Sequence, residues 1–239
     1  MSRKSKFLIG CDPEFFLHHK EKGFVNPSYY GFPGTKDAPY RIFGAGAIQI
    51  DGMAIEFNIY PTLYASDFNY HIARVLRSLH AIKRRNKDHS LLKFVMEPVA
   101  EFDPEYFKTV PDLNKELGCL PDYDMYGKIK KIPDFAADNP FRTAAGHIHI
   151  GYDQHLPVDE GTNNFKDAMY VAQEFHKSGI FAPKTEAEKK RLSLYGGDGA
   201  FRPKPYGVEL RSPSNLWIKT KESRIKMFND VCDVLEKLA

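Results

Sequence analysis

The sequence holds 239 residues, 42% hydrophobic and 27% charged, the balance of an ordinary globular chain that can bury a sizeable core in a single domain spanning 1–239. Its 34 basic and 31 acidic residues leave a formal charge of +3, which supplies no long-range field for a nucleic acid or an anionic membrane. Cys11, Cys119 and Cys232 are odd in number and far apart, which argues against a disulfide framework and for free thiols in the cytoplasm.

The first apolar run ends at Asp12, too short for a signal-peptide core or a membrane span. Residues 6–17 read as a strand in which Asp12 and Glu14 point one way and their apolar neighbours the other. A polar turn, His18 to Lys22, leads to Gly23–Gly46, rich in Gly, Pro and aromatics and without periodicity, the pattern of a lid or a surface loop. Ala47 to Tyr60 reads as two short strands or one bulged strand, with Asp51-Gly52 at the turn. Glu56 and Asn58 share a face there, and Asp51 is a second-rank acidic candidate whose facing depends on the bulge. Ser66 offers an N-cap to a helix with Phe68, Ile72, Val75, Leu79 and Ile82 on one side. Lys83, Arg84, Arg85 and Lys87 suit its negative end as a solvated terminus. Leu91 to Phe102 has strand character, and prolines interrupt any pattern between Asp103 and Pro140.

Ala144 to Gly151 reads as a strand with His147 and His149 on one face, Ile148 and Ile150 on the other, and Gly146 and Gly151 where a neighbour can approach the backbone. Thr162 to Lys177 is an amphipathic helix stopped by Gly179, and Thr185 to Glu188 is a capping box opening a helix through Leu194. Tyr195 to Lys204 reads as a glycine-rich loop with two cations, Arg202 and Lys204, a candidate phosphate cradle. Glu209 and Arg211 share a strand face, and a packing helix runs from Glu222 to Leu238. The fold expected is α+β.

Four strands thus each project two functional groups at i, i+2. Carboxylates on a core-forming strand are costly unless paired or bound to metal, so the repetition points to a site. Oxygen donors with an imidazole suit magnesium or manganese better than zinc.

The ordered set Asp12-x-Glu14, Glu56, Gly146-His147-x-His149 and Glu209-x-Arg211, with the wording of Gly10–Phe15, Arg142–Gly151 and Phe201–Ser212, resembles the phage-encoded carboxylate–amine ligases of the glutamine synthetase and glutamate–cysteine ligase superfamily. The resemblance runs along the whole chain. It implies a curved, mostly antiparallel sheet with helices on one face, whose concave face holds ATP with Mg²⁺ or Mn²⁺. It also implies metal ligation by Asp12, Glu14, Glu56, His147 and Glu209, phosphate contacts from His149 and Arg211, and a hold on the moving phosphoryl group by Arg202, with Lys204 beside it. Arg211, Arg202 and Glu209 would carry catalysis. The chain departs from the type enzyme in having Asp12 where glutamate is usual, and no separate small N-terminal domain is expected.

Such an enzyme would form an acyl phosphate on a small-molecule or peptide carboxylate and pass the acyl group to an amine. A non-catalytic nucleotide- or metal-binding protein could keep the same ligands. A two-metal hydrolase is the third reading, since His-x-His with carboxylates can also activate water.

Overall fold

The structure is a computed structural model that describes residues 2–115, 122–129, 139–152 and 155–238. In chain order it forms β1 (Lys4–His19), β2 (Gly23–Val25), β3 (Tyr40–Ile42), β4 (Gly46–Asp51), β5 (Ala54–Ile59), β6 (Thr62–Tyr64), α1 (Ala65–Arg84), β7 (Leu92–Val95) and β8 (Val99–Glu101). There follow α2 (Pro104–Thr109), α3 (Asp112–Lys115), β9 (Phe141–Thr143), β10 (Gly146–Gly151), α4 (Asn163–Ser178), α5 (Glu186–Leu194), β11 (Phe201–Lys204), β12 (Gly207–Leu210) and α6 (Lys221–Leu235). The fold is mixed α/β, with an open sheet ordered β11-β12-β10-β1-β5-β4-β3; β2, β6 and β7 pair along β1, while β8 and β9 form a separate ribbon. Every pairing among the described strands is antiparallel. No described helix is long and apolar enough to cross a membrane.

Strand alternation sorts the two faces. Ile9, Cys11, Phe15 and Leu17 of β1, Ile55 and Phe57 of β5, Ile148 and Ile150 of β10, and Val208 and Leu210 of β12 are buried in one cluster with the apolar stripes of α1, α4 and α6. The helices therefore cover one face, and the even-numbered residues of β1 emerge on the other. There a second apolar cluster around Phe16, Met53, Phe102 and Phe107 closes the end beyond Glu14.

Several local expectations change. Helix α1 starts at Ala65 rather than being capped by Ser66, because β6 runs directly into it and the chain's first residues serve its free amides: Ala65 N–H donates to the Arg3 carbonyl and Ser66 N–H to Ser2 Oγ. Leu91–Phe102 is two strands in two sheets, broken at Pro98, which has no N–H to continue a ladder. Much of the Gly23–Gly46 segment is not a lid: Tyr30 and Phe32 lie in the core and β3 is hydrogen-bonded to β4 as the edge of the sheet. Arg202 and Lys204 stand on β11, not in the glycine-rich loop. By contrast Thr162 caps α4, Gly179 ends it in the left-handed region, and Thr185 with Glu188 closes the capping box of α5. Cys11 and Cys232 are buried free thiols, and Cys119 lies outside the described residues.

Gly146 is one of the glycines whose neighbours have no room to give. A Cβ there would lie 2.4 Å from Nε1 of Trp217 and 2.6 Å from the Ser214 carbonyl, and that indole donates to the Gly146 carbonyl at 3.0 Å. Gly146→Ala should cost about 1–3 kcal/mol, read as a lower urea midpoint, because it overpacks a rigid contact. Gly151→Ala, whose Cβ would meet Leu8 at 3.4 Å, should shift stability by less than about 0.5 kcal/mol.

Candidate functional site

Residues directly opposite in antiparallel strands share a face, so the registers alone gather the polar side chains. Arg202 lies opposite Glu209, Glu209 opposite His149, and His149 opposite Gly10. Asp12 faces His147, Glu14 faces Glu56, and Glu56 faces Gln49. The four strands singled out in the sequence are thus consecutive, β12-β10-β1-β5, and their charged residues form one field opposite the helices. Gly10 adds no side chain beside His149. Next to it lies a cavity of about 430 Å³ lined by Asp12, Glu56, His149 and Tyr206 with Leu8 and Pro61 as apolar walls.

On one side of the field, charge is balanced internally. Asp12 Oδ1 stands 2.8 Å from Nε2 of His149 and 3.3 Å from Nδ1 of His147. Burial penalises its charge, yet the two imidazoles hold the carboxyl well below the usual carboxylate range. Glu209, 1% exposed, receives Lys204 at 2.7 Å, Arg202 at 3.4 Å and the guanidinium of Arg211, whose Nε also lies 2.9 Å from Asp122. Burial and the nearby Arg211 charge push His147 down to about 4, so it is neutral at pH 7. For His149 burial acts downward, but Asp12 and Glu209 outweigh it and its pKa is raised.

The other side is short of cations. Glu14 Oε2 accepts one bond from the Ala145 amide at 2.9 Å, Glu56 one from Gln49 at 3.0 Å, and Asp51 meets Lys36 at 2.8 Å. Burial, then the charge of Asp51, pushes Glu14 up to about 8. Glu56 is also raised well above its ordinary value, by burial and by Asp12, Glu14 and Asp51. Carboxylates this crowded either keep a proton or take up a cation.

Among the described residues, two sets of three side chains bring a ligand atom each within 4.8 Å of one another: Glu14, Asp51 and Glu56, and Asp12, His149 and Glu209. The all-oxygen set fits a hard divalent cation such as Mg²⁺ or Mn²⁺, and the mixed set fits the same ions with one imidazole. The structure therefore groups His149, expected at phosphate, with two carboxylates, and brings Asp51 into the other set. His147 remains within 3.6 Å of Glu209 but outside both sets.

Other residues of the site were not singled out in the sequence. Tyr206 Oη lies 2.5 Å from Nδ1 of His149, and Tyr195 Oη 3.4 Å from Nε2 of His147, so each imidazole has its second nitrogen engaged. Arg191 of α5 is fully buried and donates to the carbonyls of Arg211 and Ser212 at 2.8 Å each. Gln49 repeats the i, i+2 pattern with Asp51 on β4, a signal that could have found it; an arginine on a short polar helix and a tyrosine in a turn offered none.

No family model and no curated protein matches the sequence. Among solved structures, one described as "Apo GmaS without ligand" aligns with 99% of the chain at 12% identity and a TM-score of 0.46; the chain spans 55% of that protein's length.

The protonation pattern sets the pH dependence of the metal-free protein. Between pH 6.5 and about 8 the folded state holds a proton on Glu14 that the unfolded chain has lost, and the raised His149 acts in the same direction above pH 6.5, so stability falls as pH rises through this window. Below pH 6.5 the buried neutral His147 opposes this trend, because the unfolded chain then binds the extra proton. The melting temperature should accordingly drop from pH 6.5 to 8, and less steeply in Glu14→Gln; a rise across the window would contradict the assignment.

Proposed function

We propose that the chain is an ATP-dependent carboxylate–amine ligase. The observation that carries this reading is the adjacency of two candidate divalent-cation sets on one sheet face, with Arg202, Lys204 and Arg211 gathered around Glu209 at one end. Glu14, Asp51 and Glu56 would hold one Mg²⁺ or Mn²⁺, and Asp12, His149 and Glu209 another. Bound there, the ions would neutralise triphosphate charge and polarise its oxygens.

The protein's own groups have separable tasks. Arg202, Lys204 and Arg211 stabilise the phosphoryl group as its bond to ADP breaks and its bond to the substrate carboxylate forms. A planar, permanently charged guanidinium suits that task at Arg211, where Asp122 and Glu209 hold it in place. Tyr206 and Tyr195 fix the two imidazoles. The amine then attacks the acyl phosphate carbon, phosphate leaves, and an amide remains. Small-molecule or peptide acids and amines are the substrate classes of this reading. A second reading, a nucleotide- or metal-binding protein without turnover, draws on the pairing of Glu209 with three cations of its own chain, which leaves the field partly self-neutralised.

Thermal stabilisation by ATP should require Mg²⁺ or Mn²⁺ and vanish in excess chelator, and ADP release should depend on both a carboxylate and an amine. Arg211→Lys should retain metal-dependent ATP stabilisation yet lose turnover on the order of 10²-fold. ATP binding with no ADP release across a broad panel of acids and amines would favour the second reading.

A further inference from the structure

The small net charge hides a local excess. From Phe68 to Lys87 there is no acidic residue, while Arg74, Arg77, Lys83, Arg84, Arg85 and Lys87 are all cationic. At 3.6 residues per turn Tyr70, Arg74, Arg77, Ala81 and Arg84 follow one flank of α1, and that flank lies against the edge strand β3. Between them is an open groove of about 460 Å³ lined by Tyr40, Arg41, Phe43, Arg74, Arg77 and Ala81. Phe43 is 89% exposed at its rim, and Tyr40 and Tyr70 are each close to half exposed. The Phe43 ring stands on a pinned turn, because Arg74 Nε donates to the Phe43 carbonyl at 2.9 Å and Arg74 Nη1 to Tyr70 Oη at 3.2 Å.

Among the described residues, Arg41, Arg74, Arg77, Arg84 and Arg85 form no ion pair. We infer that this groove binds single-stranded nucleic acid, its arginines tracking the phosphates and Phe43, Tyr40 and Tyr70 offering faces on which bases stack. An unneutralised line of guanidinium groups interleaved with exposed rings matches both parts of that ligand, a polyanion that carries flat apolar surfaces. A second copy of the chain would set arginine against arginine. An acidic peptide would answer the charge and leave the rings without a counterpart. The inference does not depend on the ligase reading.

Fluorescence anisotropy of a labelled oligothymidylate of about 15 nucleotides tests it, with heparin and polyglutamate as competitors that carry charge without bases. Affinity should fall steeply with salt, and Arg77→Glu should weaken binding and flatten the salt dependence. Phe43→Ala, at a fully solvated ring, should weaken oligothymidylate about tenfold and leave heparin affinity unchanged. Absence of binding, wild-type affinity in Phe43→Ala, or equally tight binding of polyglutamate would overturn the assignment.

Discussion

The neutralisation of buried carboxylates is the constraint on which this structure turns. An ionised carboxylate taken out of water without a partner costs several kcal/mol, a large fraction of the net stability of a typical domain. Along β12 and β10 the chain meets that cost itself: Glu209 is surrounded by Lys204, Arg202 and Arg211, and Asp12 lies between two imidazoles. Along β5 and β4 it does so only in part, with one amide, one carboxamide and one lysine serving Glu14, Glu56 and Asp51. The polar face therefore has a satisfied half and an acidic half. It is the acidic half that has most to gain from an external cation.

Behind that face, support comes from backbone as much as from side chains. Among the described residues Arg191 has no carboxylate within ion-pair distance, and it donates instead to the carbonyls of Arg211 and Ser212, holding the main chain where β12 ends. Gly196 makes this possible: its φ is +76°, and a Cβ there would come within 2.8 Å of the Arg191 guanidinium and 2.6 Å of the Arg211 carbonyl. The glycine-rich loop thus works as a packing seat for an arginine. Gly199 is likewise in close contact with protein, where a Cβ would lie 3.0 Å from Met125 and 3.2 Å from His176.

Much of the site was legible in the sequence because period-two alternation is a local property. Asp12 with Glu14, His147 with His149, and Glu209 as the neighbour of Arg211 follow from strand geometry alone, as do the caps at Thr162 and Thr185. The partition into two sets was not legible. It depends on which strands are neighbours and in what register, and a one-residue slip between β10 and β12 would put the histidines and Glu209 on opposite faces. Asp51 needed the hairpin to be a two-strand turn without a bulge before its direction was defined. The start of α1 was missed because its capping groups come from Ser2 and Arg3, far away in sequence. Leu91–Phe102 misled for a related reason: its apolar alternation continues across Pro98, while the hydrogen bonding does not.

Strand β1 pairs with β10, β2, β5, β6 and β7, so most of the sheet is organised around one long segment near the start of the chain. Its partner on the acidic side, β5, is made soon afterwards, but β10 and β12 come much later. During synthesis Glu14 and Glu56 can therefore meet long before Lys204 and Arg211 exist, and the growing chain holds an acidic cluster next to an unpaired strand edge. High contact order of this kind slows folding and exposes partly built sheets to wrong partners. The balanced half of the face is thus also the late half, and until it is made β1 keeps one edge unpaired.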